Sequence, residues 1–479
     1  MAQDEKQNRL NKLAKIKAEG IKTYPSNFDK QNSLKQAYNS ELGTKVKTAG
    51  RLMTIRDMGK LCFGHLMDET QKMQIALQVD TVGKEDYKWF VKNIDMGDFI
   101  GIEGEVFKTH KGEISIKIKN YQLLAKALRP LPEKWHGLTD EELKLRKRYL
   151  DFIANPELKE LFYRKAKFWQ SCRDFLLKNE FLEVETPVLE TTPGGADAEP
   201  FITHHKVLDI DLYLRISMGE LWQKRLMVAG FEKTFEIGRQ FRNEGISREH
   251  LQDYTQMECY WAYADYKQMM QLVEKMYKYI LKQVYNKLQF EINGFTVDFD
   301  QPWQEIDYVK IIQKEFEIDV TKSTKEALIK KLKELKVDFD NNLSKARLID
   351  ILWKQVRKTI VGPVFLINHP VEVSPLAKRD PKDPNKVQRF QIILAGSEMG
   401  NGYSELNDPI DQAERFEEQS KMRELGDLEA QMHDQNFVEA LEYGMPPTAG
   451  FGFSERLFSF LEDKTARECQ LFPLMKSEK

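Results

Sequence analysis

The pattern of apolar and polar positions divides the chain into three stretches. Over residues 7–19, Leu10, Leu13 and Ile16 recur at helical spacing in a run rich in Lys and Ala, and Gly20 supplies a stop. This predicts an amphipathic helix within an N-terminal extension over 1–44. Its charged face is either simply solvated or an electrostatic arm for RNA. From 45 to 127 the pattern changes to short β-type segments separated by turns: VKTAGRLMTI, CFGHLMD, MQIALQV, DFIGIEGEVFKT and EISIKIKNYQLLA. About five such strands predict a small barrel over 45–130. A proline-rich and then charged helical segment, ALRPLPEKWHGLTDEELKLRKRYLD, reads as a linker over 131–150. The remainder, 151–479, predicts an α+β domain with strands near Arg215, Phe235, Tyr254, Val364 and Phe390, separated by helices. Its Lys-rich stretch over 321–359 predicts a solvated helical insertion near 305–360.

Composition narrows the class. Of 479 residues, 41% are hydrophobic and 31% charged, as in an ordinary soluble globular protein. The net charge of -2 removes any global basic field and leaves only local patches for nucleic acid. Cys62, Cys172, Cys259 and Cys469 are scattered without a CxxC pair, which speaks against a disulfide framework or a structural zinc site and for reduced thiols. No run approaches the ~18 apolar residues that span a bilayer, and the N-terminus lacks an apolar signal core. A cytoplasmic protein with no membrane partner is expected. For the barrel an OB-fold is the natural candidate, and such barrels stack bases on aromatics and pair base edges with polar side chains. Phe63 and Gln74 are candidates for those contacts, and Arg51 and Arg56 for phosphates.

Four segments carry candidate chemistry. In FRNEGISREHLQDYTQMECYWAYADY, residues 241–266, Arg242 and Glu244 stand two apart and share a face on an extended strand. A charged turn-like segment follows, and an aromatic run resumes at Tyr254, a hairpin pattern with functional residues at the loop's base. An arginine fixed there suits a bidentate clamp on a carboxylate or phosphate. NEFLEVETPVLE, 179–190, reads as a helix end, a strand and a bend at Pro187. In EYGMPPTAGFGFSERLFSFL, 442–461, Gly450 and Gly452 permit close backbone approach to a ligand, and Arg456 opens a helix. In AGSEMGNGYSELNDP, 395–409, strand alternation puts Glu405, Tyr403, Asn401 and Met399 on one face and Glu398 on the other, unless a glycine bulge breaks it.

The segments at 179–190, 241–266 and 442–461 resemble motifs 1, 2 and 3 of the class II aminoacyl-tRNA synthetases. Within that class the chain resembles the lysyl-tRNA synthetases over nearly its whole length, through RLNKLAKIKAEGIKTYP, AGRLMTIRDMGK, KALRPLPEKWHGL, TTPGGADAEPFITHH, HPVEVSPLAK, GNGYSELND and LFPLMK. The resemblance implies an anticodon-binding OB domain, a catalytic domain on an antiparallel sheet, a homodimer built through motif 1, and ATP, Mg2+, L-lysine and tRNA(Lys) as ligands. It also implies roles. Arg242 holds the lysine carboxylate and the α-phosphate, with Asn401 assisting and Tyr403 beside it. Glu220 and the backbone of Gly194 and Gly195 bind the α-amino group. Glu405 and Tyr260 bind the ε-ammonium, with Glu258 nearby. Tyr254 and Arg456 sandwich adenine, Glu244 reads its amino group, and His250 approaches the triphosphate tail. Glu398 and Glu405 are expected at Mg2+, and Arg56, Phe63 and Gln74 at a U-rich anticodon.

The residues themselves favour a cationic amino acid, because gathered carboxylates (Glu220, Glu258, Glu372 and Glu405) want a metal or an organic cation. An aspartate pocket would want Arg or Lys. Aspartyl- and asparaginyl-tRNA synthetases share this architecture and stand as the alternative enzyme. A catalytically inactive OB-type RNA-binding protein is the alternative from another class, opposed by intact Arg242, Glu244 and Arg456. The chain departs from the family pattern in four places. Gln391 stands where Glu is usual, and EHLQDY replaces a loop like RHNPEF, so that Glu249 takes an arginine's place. RISMGEL is one residue longer than usual, and GFGFSERL one shorter.

Overall fold

The computed structural model describes residues 2–131, 140–245, 247–340, 343–424 and 430–476. It divides into two compact units, Met1–Lys144 and Leu145–Lys479. Much of the expected linker, residues 132–139, lies outside the described residues.

In the first unit, β1 (Lys45–Asp57), β2 (Leu61–Met67), β3 (Lys72–Gln78), β4 (Phe99–Lys108) and β5 (Ile114–Ala125) close a barrel in the order β1-β2-β3-β5-β4. The strands alternate as a half-buried sheet requires: in β2, Cys62 and Leu66 point inward while Phe63 and His65 point outward. The five-stranded barrel read from the turn spacing is therefore present. The N-terminal helix, Ala2–Ala18, buries Leu13 and Ile16. Arg9, also buried, donates to the carbonyls of Met96 and Ala127 at 2.9 and 3.0 Å. The helix thus lies on the barrel and is more than a solvated appendage.

The second unit is built on an eight-stranded sheet of β6 (Leu182–Glu183), β10 (Lys233–Phe241), β11 (Asp253–Ala262), β14 (Gln304–Asp307), β15 (Val364–Ile367), β16 (Arg389–Leu394), β17 (Ser397–Ser404) and β18 (Thr448–Ser454). The order is β14-β15-β16-β17-β18-β11-β10-β6, antiparallel except where β14 meets β15 and β10 meets β6. A three-stranded sheet of β7 (Leu189–Glu190), β8 (Ile202–His205) and β9 (Ile210–Leu214) and a hairpin of β12 (Gln289–Ile292) and β13 (Phe295–Asp298) interrupt it in sequence. One face of the main sheet carries Phe235, Met257, Cys259, Phe390, Phe451 and Phe453 into the core. The helix Tyr266–Tyr285 covers this face. Asp265 and Gln268 close a capping box at its start, and Met269, Val273, Met276, Tyr277 and Ile280 form its buried stripe. Each fully buried Phe or Met contributes about 1.5–3 kcal/mol, which fixes which way the strands face. Between β14 and β15 the helices Tyr308–Phe316, Lys325–Glu334 and Lys345–Arg357 gather around their own small core, which includes Leu348, Trp353 and Leu366.

Candidate active site

Because the odd positions of β11 and β18 are committed to the core, the even positions face the other way. There they line a cleft of about 430 Å³. Register builds it in two rungs. Gln391, Asn401, Gly452, Glu258 and Glu236 stand opposite one another across β16, β17, β18, β11 and β10. Arg389, Tyr403, Gly450, Tyr260 and Thr234 form the next. The two glycines are the floor. A Cβ on Gly450 would fall 2.1 Å from Glu405 Oε1, and one on Gly452 would fall 2.8 Å from Glu258 Cγ, so any side chain there would displace the carboxylates.

At one end the acidic residues converge. Glu258 accepts from the Met218 backbone N–H at 3.0 Å, from Gln256 Nε2 at 2.7 Å and from the Tyr260 hydroxyl at 3.0 Å. Burial, reinforced by the charge of Glu220, pushes its carboxyl up to about 7. Glu220 opens the helix Glu220–Val228 and accepts from the Tyr403 hydroxyl. Lys224, one turn along, reaches Glu220 at 2.7 Å and Glu405 at 2.5 Å. Arg389 Nε donates to Asn401 Oδ1 at 2.8 Å.

At the other end are the arginines. Arg242 follows the last residue of β10, its Nε donates to the Ile216 carbonyl at 3.3 Å, and its guanidinium lies 5.8 Å from the Tyr254 ring. Arg456 is ion-paired with Glu249 from the β10–β11 loop. Burial lowers the His250 imidazole below its ordinary value, and the nearby Arg456 adds to this. Of the residues expected here, Gly195, Glu220, Arg242, His250, Tyr254, Glu258, Tyr260, Glu398, Asn401, Tyr403, Glu405 and Arg456 line the cleft. Gly194 and Glu244 stand outside its lining. The Gly194 carbonyl instead accepts from Ser217 Oγ at 3.0 Å, and the Glu244 carbonyl accepts from Gln252 at 3.3 Å. Ile246, within the same loop, is outside the described residues. Glu372 faces a smaller second cavity and pairs with Lys345 at 2.8 Å.

The bulge foreseen as the alternative in β17 is present: register slips by one between Gln391 and Ile393. It sends Met399 into the core, against simple alternation, and turns Glu398 to the cleft. The expected magnesium pair does not fit this arrangement. Glu398 is engaged by Arg357 at 2.8 Å, Trp353 Nε1 at 2.9 Å and Gln391 Nε2 at 3.1 Å. Glu405 is closed on Lys224. The two carboxylates share no partner, the third position is the neutral Gln391, and among the described residues no three acidic, His or Cys side chains are grouped for a metal.

On the barrel, Arg56 stands opposite Phe63, and His65, two residues on, stands opposite Gln74. All four therefore share the outer face of β1, β2 and β3. Gln74 is held by Ser115 Oγ at 2.8 Å and by Glu113 at 2.7 Å. Arg51 departs from its expected role. It is turned onto the Phe99 ring at 4.3 Å and donates to the Gly97 carbonyl at 2.9 Å, so it serves the barrel's own structure.

Sequence reasoning missed Lys224, Arg389 and Arg357. Lys224 had a signal, an i,i+4 spacing from Glu220, but that pattern ordinarily marks an exposed pair. Arg389 and Arg357 act across strands and elements, where no local pattern shows them.

The family profile described as class II tRNA synthetases (D, K and N) matches residues 140–476, and one described as an OB-fold nucleic acid binding domain matches 46–124. The lysine–tRNA ligase of Thermotoga maritima (strain ATCC 43589 / DSM 3109 / JCM 10099 / NBRC 100826 / MSB8) is 44% identical over 490 residues, covering 100% of this chain and 97% of that protein. That of Thermosipho africanus (strain TCF52B) is 43% identical, covering 99% and 97%. That of Carboxydothermus hydrogenoformans (strain ATCC BAA-161 / DSM 6008 / Z-2901) is 44% identical, covering 98% and 97%.

Proposed function

The chain belongs to the class II tRNA synthetases, in their lysine–tRNA ligase branch, and from that premise we propose how its own residues carry out the reaction. The activity is ATP-dependent attachment of lysine to tRNA(Lys) through lysyl-adenylate. The observation that carries the site assignment is the polarity of the cleft. Glu220 and Glu405 are joined through Lys224 and lie with Glu258 around Tyr260 and Tyr403, while Arg242 packs on Tyr254 and Arg456 pairs with Glu249 of the β10–β11 loop, which matches an amino acid with two ammonium groups and a nucleotide.

Lysine lies with its ammonium groups toward the carboxylates and its own carboxylate at Arg242 and Asn401. That carboxylate attacks the α-phosphorus in line. The bond to the β-phosphate oxygen breaks and pyrophosphate leaves. A terminal ribose hydroxyl of tRNA(Lys) then attacks the lysyl carbonyl carbon, the bond from that carbon to the α-phosphate oxygen breaks, and AMP leaves with the hydroxyl's proton passing to its phosphate. No protein base is needed in the first step, since the nucleophile is already anionic. Catalysis rests on positioning and on Arg242 meeting the charge that develops at phosphorus. Tyr254 and Arg456 flank adenine, His250 contributes to the nucleotide end, and Gly195 to the α-amino end, while Gly194 and Glu244 stand outside the cleft lining and are assigned no direct substrate contact. Magnesium is typical of the family. Since the side chains here do not fit a protein-held ion, the cleft's cations are Arg242, Arg389 and Arg456.

The barrel face with Arg56, Phe63 and Gln74 is assigned to the anticodon. A homodimer through motif 1 is supported by Leu182, Val188, Leu189 and Ile202, which are 41–65% exposed around β6, β7 and β8. No helix among the described residues is long and apolar enough to cross a membrane. The four buried, unpaired cysteines support a cytoplasmic location.

ATP–pyrophosphate exchange with each amino acid in turn tests this reading. Lysine alone is expected to stimulate, and Arg242→Ala is expected to lower kcat by ~100-fold or more. Stimulation by aspartate or asparagine alone, or a near-normal rate in Arg242→Ala, overturns it.

A further inference from the structure

Lys224 is fully covered, its side chain 1% exposed, one turn along a helix whose first residue is Glu220. Its ammonium bridges Glu220 and Glu405 and lies 5.4 Å from the Tyr403 ring and 5.9 Å from the Phe437 ring. Burial alone would lower this ammonium. The two carboxylates outweigh it and hold it above its ordinary value, so it is a permanent cation.

We propose that Lys224 is a positioning and specificity-setting residue of the amino-acid pocket. It clamps one oxygen of Glu220 and one of Glu405 and sets the charge that a substrate must supply. This rests on the reading of those carboxylates as lysine-binding.

The geometry gives the reason. Lys224 and Tyr403 both sit on Oε1 of Glu220, and Lys224 takes Oε2 of Glu405. Each carboxylate is thereby held by one oxygen and keeps its other for a ligand. Charge gives the second reason. Glu220, Glu258 and Glu405 face one fixed cation, and burial raises the Glu258 and Glu405 carboxyls, so the pocket carries two net negative charges only when both give up their protons, as a substrate's ammonium groups draw them to do. A substrate with two ammonium groups completes the balance, its carboxylate being met separately by Arg242. A neutral side chain would leave one carboxylate unmatched, a costly state in a covered pocket. Without Lys224 the three carboxylates would repel, and protons would have to take its place.

The test uses the full-length protein with Lys224→Met, which removes charge and donors, and Lys224→Gln, which keeps an amide donor and removes the charge. Lysine and ATP are titrated separately in ATP–pyrophosphate exchange. In Lys224→Met the lysine KM is expected to rise roughly 30-fold or more, with the ATP KM within about twofold of wild type. Lys224→Gln is expected to show the same split with a smaller rise, and in both the fall of lysine KM with pH moves to higher pH than in the wild type. A folded variant with lysine KM within about threefold of wild type, or with both KM values rising together, overturns the proposal. So does failure of both variants to fold, which would assign Lys224 to folding alone. Loss of lysine-dependent exchange in the wild type would instead overturn the functional reading. A rise in lysine KM in Glu405→Gln without one in the Lys224 variants would leave that reading standing and remove only this inference.

Discussion

Glu249 occupies a place that the family usually gives to an arginine, and the structure shows what it does there. Its carboxylate pairs with Arg456, the expected partner of adenine, and also accepts from Ser397 Oγ at 3.4 Å. The two side chains are 30% and 17% exposed, so solvent still screens the pair. Exposed pairs contribute about 0.2–1 kcal/mol, and this more covered one belongs near ~1 kcal/mol. ATP that needs Arg456 must first part it from Glu249, and its triphosphate then meets a carboxylate. A bias of ~1 kcal/mol toward the closed pair lowers apparent affinity about fivefold. Glu249→Ala is therefore expected to lower the ATP KM about fivefold in lysine-saturated exchange, with lysine KM unchanged. The difference should shrink as salt is raised, because a partly exposed pair is screened. An ATP KM that stays the same or rises in Glu249→Ala refutes this reasoning and makes Glu249 part of the nucleotide site.

Other consequences are as direct. The Glu258 carboxyl, held up to about 7, must be ionised to face an ammonium group. The lysine KM should therefore fall as pH rises through about 6–8, and Glu258→Gln should remove that inflection. A carboxyl raised in the folded state costs stability progressively as pH rises from its ordinary range to about 7, and the full cost persists above that. Added lysine should accordingly raise Tm more at alkaline than at acidic pH, and an equal shift would count against Glu258. With Glu398 closed on Arg357, manganese titrated by electron paramagnetic resonance should find no protein-held site without nucleotide. Arg357→Ala combined with Gln391→Glu should create one, and stoichiometric binding by the wild type would contradict this. Phe63→Ala should weaken tRNA(Lys) binding by ~1–3 kcal/mol, the size of one base stack, while leaving lysine-dependent exchange unchanged. Unaltered tRNA affinity would remove Phe63 from the interface.

The parts of this molecule legible in sequence were those with a local period. The barrel strands follow from turn spacing, and Arg242, Glu258 and Tyr260 from their positions in a recognisable hairpin. The bulge in β17 was visible only as an open alternative, because glycines permit one without fixing its place, and that single residue decides whether Glu398 or Met399 faces the cleft. Lys224 was hidden because a Glu–Lys pair one turn apart reads as a surface pair until tertiary packing buries it. Arg51 misled for the converse reason: an exposed-looking basic residue was turned inward by Phe99 and the Gly97 carbonyl, contacts some 46 residues away. Arg357 reaches Glu398 from another element altogether, and no spacing could announce it.

In the proposed binding mode, few polar contacts suffice to orient the amino acid. Arg242 lies beside Tyr254 at the nucleotide end, while Asn401 shares a rung with Glu258, next to the rung of Tyr403 and Tyr260, so the acidic cluster and Asn401 are neighbours on one sheet face and Arg242 stands apart from them. A lysine entering the other way round would set its carboxylate among carboxylates and an ammonium beside guanidinium groups, and like charges so placed cost several kcal/mol. The same penalty applies to aspartate in either direction, because one of its two carboxylates always falls among Glu220, Glu258 and Glu405. Asparagine avoids the repulsion but leaves those carboxylates without a cation. On the proposed reading, selection and orientation come from one feature, the acidic cluster of Glu220, Glu258 and Glu405 set apart from Arg242 and Arg456. The glycines at 450 and 452 keep it open, since any side chain there would push the acidic cluster aside.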